Sequence, residues 1–359
     1  MIVKDEEAVL SRCLESVKGV VDEIVVVDTG STDETVKIAK RYTDCVLFFP
    51  WVDDFSAARN FAFSKATGDY LMWLDADDIL PEASRARFPT LRAQLEQEGP
   101  DLVKCPYDAA FETSGAPAYT FYRERIIKRS AGFLWQGRVH ECIAPRGKIL
   151  VSDVRVTHLG SEKPRGTRNL HIYQRQLSEG VPLSPRDKFY YGRELFYNKL
   201  YLEAVAVLND MRRGEGWYVN KIEACKIEAD CYFACGEREE AKRALFDSFL
   251  YGEPRASVCY ALGRVYREEK RLQDAAFWYE AALLCRDHSD EGDFDEPLCR
   301  TLYPLLELTC VYCELGKPEE AVKRHIAADK DFPEHPSVVH NRNYFRAQGL
   351  LSDGKLNRK

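Results

Sequence analysis

Three acids close the stretch YLMWLDADDIL (70–80): Asp75, Asp77 and Asp78 follow a run of mostly apolar and aromatic residues. Clustered carboxylates repel one another and are kept together by water, by a cation, or by something the cation holds. In extended chain, residues two apart share a face. Asp75 and Asp77 would then project to one side and Asp78 to the other. Two carboxylates on one side make a hard-oxygen half-site suited to Mg²⁺ or Mn²⁺. The same acids also read as a polar turn with helix-capping residues ahead of Pro81. Asp28 ends another apolar run, EIVVVD (23–28), and reads either as a further site carboxylate or as a turn acid. The turn after it, TGSTD (29–33), is not GxGxxG, and no GxxxxGK[ST] occurs in the chain. The usual phosphate cradles are absent, so carboxylates and a metal would do much of the holding of any nucleotide.

These acids need elements to present them. EIVVVD is a continuous apolar run, as in a strand covered on both faces. TGSTDETVKIAKRY (29–42) follows, with Ser31 and Glu34 spaced as a capping box that opens a helix. CVLFFP (45–50) is a second strand, and DDFSAARNFAFSKATG (53–68) a helix with acids at its start and Gly68 at its stop. YLMWLD is the next strand. This alternation predicts a parallel, doubly wound sheet, with ligands at the carboxyl ends of the strands, where Asp28 and Asp75 sit.

From about residue 186 the rhythm is helical, with no strand signal. Small, aromatic and alanine slots recur: Gly263, Tyr266, Ala275, Tyr279 and Ala282 in one frame, with Gly192, Leu195, Ala204 and Leu208, Ala229, Tyr232, Ala241 and Leu245, and Thr309, Tyr312, Ala321 and Ala328 in the others. The key alanines, 204, 241, 275 and 321, are separated by 37, 34 and 46 residues, against a typical tetratricopeptide step of ~34. The last step carries the insert RDHSDEGDFDEP (286–297). With Gly292 sixth in a calcium-loop frame, the twelfth residue is Leu298 instead of Glu, so the insert is a solvated acidic loop. Such helical arrays bind peptides or proteins or mediate self-association, here as a homodimer; a structural cap on the first domain is the plainer reading.

The 359 residues suggest two or three domains, with 45% hydrophobic and 30% charged residues as in globular chains. A net charge of −7 argues against a broad nucleic-acid footprint. The 12 cysteines are scattered, and Cys310 and Cys313 form a CxxC inside a helical pattern with no second pair, which predicts buried free thiols. The start, MIVKDEEAVL, has acids where a signal sequence is apolar, and no segment approaches the ~20 apolar residues of a membrane span. A cytoplasmic protein without a transmembrane segment is expected.

Four separated stretches, VKDEE (3–7), VVDTGSTDET (26–35), ARNFAFSKATGDYLMWLDADD (58–78) and WQGRVHE (135–141), occur in the order seen in family 2 glycosyltransferases, which the chain resembles over residues 1–165. WVDDFSAARN (51–60), THLG (157–160) and the trailing repeats are similar to a bacterial subgroup that includes sublancin-type peptide S-glycosyltransferases. The resemblance implies a Rossmann-like GT-A domain at 1–165, a linker at 166–185, an all-α tetratricopeptide solenoid at 186–350 and a polar tail at 351–359. It implies a UDP-sugar donor, an inverting transfer, Mg²⁺ or Mn²⁺, and a peptide or protein acceptor. A cell-surface glycan acceptor and a non-catalytic scaffold are the alternatives.

By the same resemblance, Asp28 contacts the nucleotide base, with Glu6 or Glu7 near the same pocket and Asp33 either helping there or favouring the helix N-terminus. Asp75 and Asp77 are the DxD pair, Asp77 on the metal and Asp75 facing the ribose or metal waters. Arg59 and Asn60 match a helix pair near the nucleotide; for Arg59, pairing with Asp53 or Asp54 is the other reading. Glu141 is the candidate base, and His158 stands where such enzymes place a further metal ligand or a phosphate contact. His140 is a further candidate that also reads as a structural histidine. Trp135 and Gly137 would shape an acceptor or sugar platform, for which ordinary core packing of Trp135 is the plainer reading. Diphosphate contacts from Arg165 and Arg168 complete the candidates. Family members carry more apolar residues before IVKDEE, so a short first strand and a thinner nucleotide wall are expected.

Overall fold

The computed structural model describes residues 1–111, 117–160, 166–288 and 296–351. The chain forms two compact units that divide between Glu194 and Leu195. In the first, β1 (Ile2–Val3), α1 (Leu10–Val17), β2 (Val26–Asp28), α2 (Thr35–Ala39), β3 (Val46–Phe48), α3 (Phe55–Lys65) and β4 (Tyr70–Met72) alternate as expected. There follow β5 (Asp78–Ile79), α4 (Glu82–Glu98), β6 (Leu102–Phe111), β7 (Pro117–Lys128), β8 (Trp135–Gln136), β9 (Cys142–Ile143), β10 (Ile149–Val151), β11 (Val156–His158), α5 (Arg168–Ser178) and α6 (Pro185–Tyr197).

The wholly parallel sheet expected from the sequence is found only in the order β1–β2–β3, with Val3 opposite Asp28. A second, mixed sheet runs β4–β7–β6–β11–β5, with β10 alongside β6. Here β7 is antiparallel to both β4 and β6. Only 112–116 separate β6 from β7, far short of the dozen or more residues a parallel crossover needs.

Local chemistry moves two expected boundaries. The helix read from Ser31 begins at Thr35 instead. Asp28 draws in the N–H groups of Gly30 and Ser31, each at 3.1 Å, and Gly30 adopts φ +108°, so this stretch is a tight loop. The strand YLMWLD ends at Met72, and Asp75 lies in a turn in which the Asp78 N–H donates to the Asp75 carbonyl at 3.1 Å. Strand alternation therefore does not govern where Asp75 and Asp77 point. Ala76 does: it packs with Val3, Leu10, Leu14 and Val26, which turns its two neighbours off that core. The helix at 53–68 forms as α3, with the Asp54 side chain accepting the Ala57 N–H at 2.9 Å. It ends at Lys65, ahead of Gly68.

The stretch read as a linker, 166–185, contains α5, whose Ile172 and Tyr173 pack with Val139. The second unit is helical: α7 (Tyr201–Arg213), α8 (Tyr218–Cys235), α9 (Arg238–Asp247), α10 (Ala256–Glu268), α11 (Leu272–Leu284), α12 (Pro297–Arg300), α13 (Leu302–Glu314), α14 (Pro318–Asp331) and α15 (Pro336–Ala347). Ala204, Ala241, Ala275 and Ala321 are all wholly buried. A Cβ on Gly263 would stand 2.5 Å from the Tyr279 ring, so only glycine lets α10 and α11 approach this closely. Cys310 and Cys313, expected to be buried, are exposed on α13. Of the acidic insert, 289–295 lie outside the described residues, as do Arg165 and the tail from 352. No helix among the described residues is long and apolar enough to cross a membrane.

Candidate functional site

Arg59 is the hub of the first unit. It projects from α3, is 8% exposed, and donates through Nε to Glu141 Oε1 at 2.5 Å and through Nη2 to Asp75 Oδ1 at 2.7 Å. It thus joins two candidate acids that are 66 residues apart in sequence and pairs with neither Asp53 nor Asp54. Its guanidinium lies 4.8 Å from the Trp135 ring centre and 5.0 Å from that of Trp73. Aromatic faces hold a desolvated cation there. Burial opposes the charge of Asp75, but Arg59, with Arg125 and Arg123 behind it, outweighs this and holds the carboxyl at about 2.

Asn60, one residue on, is differently employed. Its side chain donates to the Trp135 carbonyl at 3.0 Å and accepts the Trp135 N–H at 2.8 Å. The amide acts as a strand neighbour to β8, so Asn60 braces the WQGRVHE segment. Trp135, at 3% exposure, packs edge-on against Trp73 and belongs to the core instead of forming a platform.

A second acidic group lies across the turn. Asp77, Asp78 and His158 each offer a ligand atom within 4.8 Å of the others. His158 Nδ1 is 3.3 Å from Asp78 Oδ1 and 3.5 Å from Asp77 Oδ1. The short β5–β11 pairing sets His158 opposite Asp78. The hydrogen bond to Asp78 raises the His158 pKa above that of an ordinary imidazole. Asp77 is also raised, first by burial and further by Asp75 and Asp78, with His158 opposing. The two flanking acids are thus set apart: Asp75 is tied to Arg59, while Asp77 faces His158.

Asp78 was not singled out from sequence as a ligand, and it has another task. It is wholly buried, and it accepts from Arg125 Nη1 at 3.0 Å, Tyr107 Oη at 2.9 Å and the Asp75 N–H at 3.1 Å. Arg125 is equally buried, with Trp73 at 3.8 Å and Tyr107 at 4.3 Å from its guanidinium; its Nε and Nη2 have no partner among the described residues. Sequence reasoning missed Arg125. The alternation of Arg123 and Arg125 before the apolar pair Ile126–Ile127 was the available signal, since two residues apart on a strand they share a face.

These positions decide how a divalent cation fits. Asp77 and His158 supply a hard oxygen and an imidazole nitrogen on partly exposed side chains, a donor set that suits Mn²⁺ or Mg²⁺. Asp78 fits poorly as a ligand because both of its oxygens are already engaged. Asp75, expected as a partner of Asp77, is held by Arg59 and stands outside the cluster.

The acids expected near a nucleotide base occupy the neighbouring loops. Asp28, 6% exposed, accepts from Gly30 and Ser31. Glu7 and Asp33 clasp each other's loops: the Glu7 N–H donates to Asp33 at 3.1 Å and the Glu34 N–H to Glu7 at 3.0 Å. Asp33 also accepts the Thr35 N–H at 2.9 Å, and these hydrogen bonds outweigh desolvation to hold its carboxyl below the usual range. The Glu6 N–H donates to Thr35 Oγ1 at 2.7 Å. His140 takes φ +51°, stacks on Tyr190 and meets Glu194 at 3.0 Å, which fixes the backbone just before Glu141. Arg168 lies over Phe55, near enough to Glu141 and Glu6 to feel their charge.

Residues 1–149 match the family model described as Glycosyl transferase family 2. The chain is 51% identical over 98 residues to a TPR repeat-containing protein of Synechococcus elongatus, covering 27% of this chain and 23% of that one. It is 30% identical over 207 residues to the SPbeta prophage-derived glycosyltransferase SunS of Bacillus subtilis, covering 54% and 48%. It is 30% identical over 156 residues to the lipopolysaccharide core biosynthesis glycosyltransferase LpsC of Rhizobium meliloti, covering 42% and 57%. The chain therefore spans about half the length, or less, of the curated relatives it matches. The motif order of the first half and the small-residue slots of the second lead to one result: residues 1–149 form a family 2 glycosyltransferase domain, followed in the same chain by tetratricopeptide-type helical hairpins.

Proposed function

We propose that the chain is a metal-dependent, inverting glycosyltransferase that takes a UDP-sugar and places the sugar on a side chain of a peptide or protein recruited by the helical repeats. The observation that carries this reading is the separation of two acidic centres by one turn: Asp77 facing His158, and Asp75 joined through Arg59 to Glu141. The first suits a cation; the second suits proton transfer. A bound divalent ion supplies Lewis-acid neutralisation of charge on the leaving diphosphate. Asp77 and His158 would hold it, and Asp75 would meet the ribose or the ion's waters.

Glu141 is the base in this reading. Arg59 occupies one of its oxygens, which fixes the carboxylate and leaves the other to take a proton from the acceptor hydroxyl or thiol. A thiol needs less help, being partly ionised near neutral pH. Inversion rests on the family resemblance and on a single nominated base. The peptide acceptor rests on the subgroup motifs; the similarity to LpsC supports a glycan acceptor for the same donor chemistry. One observation favours a non-catalytic scaffold: Asp28, Glu7 and Asp33 already have backbone partners in their own loops.

Calorimetry of UDP with Mn²⁺ separates these readings. The transferase reading expects Mn²⁺-dependent UDP binding that Asp77→Ala abolishes. It also expects Glu141→Gln to retain binding while losing sugar hydrolysis or transfer. No UDP affinity in the parent chain selects the scaffold.

A further inference from the structure

The twelve cysteines are all free. Cys259 and Cys285 nonetheless form a pair, with their sulfurs 3.9 Å apart. Cys259 lies within α10 and is wholly buried. Cys285 follows the last residue of α11 as its C-cap, with extended backbone at φ −63° and ψ 139°, and is partly exposed. We propose that Cys259 and Cys285 are a redox modification site, in which a peroxide converts the two thiols into a reversible disulfide that staples α10 to the end of α11.

Geometry supports closure. A disulfide needs a sulfur separation of about 2.05 Å, so the gap of 3.9 Å must shrink by less than 2 Å. Cys285 has left the helix, and its main-chain N–H makes only a long 3.4 Å contact with Ala282, so its movement breaks no helical ladder. The surroundings also assign an order to the two sulfurs. Solvent reaches Cys285, and the hydrogen bond from Cys259, together with the Arg255 and Arg300 charges, favours its thiolate against burial. The bond to Cys285 and burial push the Cys259 thiol the other way. Cys285 is therefore the attacking sulfur and Cys259 the resolving one.

The chemistry balances. The Cys285 thiolate attacks one oxygen of hydrogen peroxide, the O–O bond breaks, and hydroxide leaves with a proton as water, giving a sulfenic acid. The Cys259 sulfur then attacks the sulfenic sulfur. The S–O bond breaks, and water departs with the Cys259 proton. Two thiols have lost two electrons and two protons, and one peroxide has become two waters.

The test treats the whole chain with a small excess of hydrogen peroxide, blocks remaining thiols in denaturant, and maps peptides by mass. The expected result is loss of two of the twelve thiols, a cross-link between the peptides of Cys259 and Cys285, and full reversal by dithiothreitol. The oxidised chain should melt higher by roughly 5 °C, because a loop is closed in the unfolded state. Cys285→Ser should remove both the cross-link and the shift. Cys259 is buried, so Cys259→Ser risks misfolding; Cys285→Ser, at a partly exposed position, carries the test alone. A cross-link at the exposed Cys310 and Cys313 instead, Cys285 ending as a sulfinic acid beside an intact Cys259 thiol, or unchanged cross-linking in Cys285→Ser would overturn the proposal.

Discussion

The two units bury different things. The first places charge inside: Asp78 and Arg125 are wholly shielded, and Arg59 nearly so. The second is spaced by small residues, with Ala204, Ala241, Ala275 and Ala321 buried and Gly263 against Tyr279. It too holds a buried ion pair, Arg212 with Glu228 at 2.8 Å, but that pair joins α7 to α8, which are successive helices. In the first unit Arg59 and Asp75 are also only 16 residues apart, but Arg59 and Glu141 are 82 apart and Asp78 and Arg125 47. Long-range charge specifies one constellation, whereas small residues specify a spacing that can repeat.

This contrast can be broken by mutation. Asp78→Ala should do most damage, about 3–5 kcal/mol by urea denaturation, because it leaves the Arg125 charge buried and uncompensated. A loss under about 1 kcal/mol would mean that the buried pair does not organise the first unit. Arg59→Gln should cost somewhat less, roughly 3 kcal/mol, since Asp75 can still reach water while Glu141 cannot readily do so.

The same variant sharpens a pH effect. Asp75 is held at about 2, below its unfolded value, so its contribution to stability is present above the unfolded pKa and lost as pH falls toward 2. Acid titrations of stability should flatten in this window for Arg59→Gln; identical titration curves would remove Arg59 as the cause. In the second unit, Gly263→Ala should cost about 1–3 kcal/mol by overpacking against Tyr279. A neutral result would show that α10 and α11 have room to separate. The smallest effect belongs to Asp77→Ala. Its raised pKa means that the charge opposes folding near neutrality, so stability at pH 7 should hold or rise by about 0.5 kcal/mol while Mn²⁺ affinity disappears. Destabilisation beyond about 1 kcal/mol would make Asp77 a structural residue.

The repeat slots were legible because each depends on one residue's size at a fixed interval, and size is written in the residue type. The three parallel strands were legible for a similar reason: apolar runs and helices alternate along the chain. What the sequence hid was partnership. Asp75 and Asp77 look equivalent in DAD, yet Arg59 takes one and His158 faces the other. Ala76, anchored in the core, decides their directions, and no local spacing reveals that anchor. Asn60 looked like a nucleotide contact, although its amide serves the Trp135 backbone. The Ser31 capping box failed because Glu7, from a distant loop, took the N–H that a local cap would compete for. The mixed sheet followed from the short connection between β6 and β7, whose strands alternate too irregularly to be read from composition.

Arg59 and Asn60 stand side by side on α3 and grip the same tryptophan, one by its ring and the other by its main chain. Pull and twist on that indole are therefore resisted by a single helical turn. Through Arg59 the same dipeptide also reaches Glu141, so one short piece of α3 sets the bearing of an acid 82 residues further along the chain.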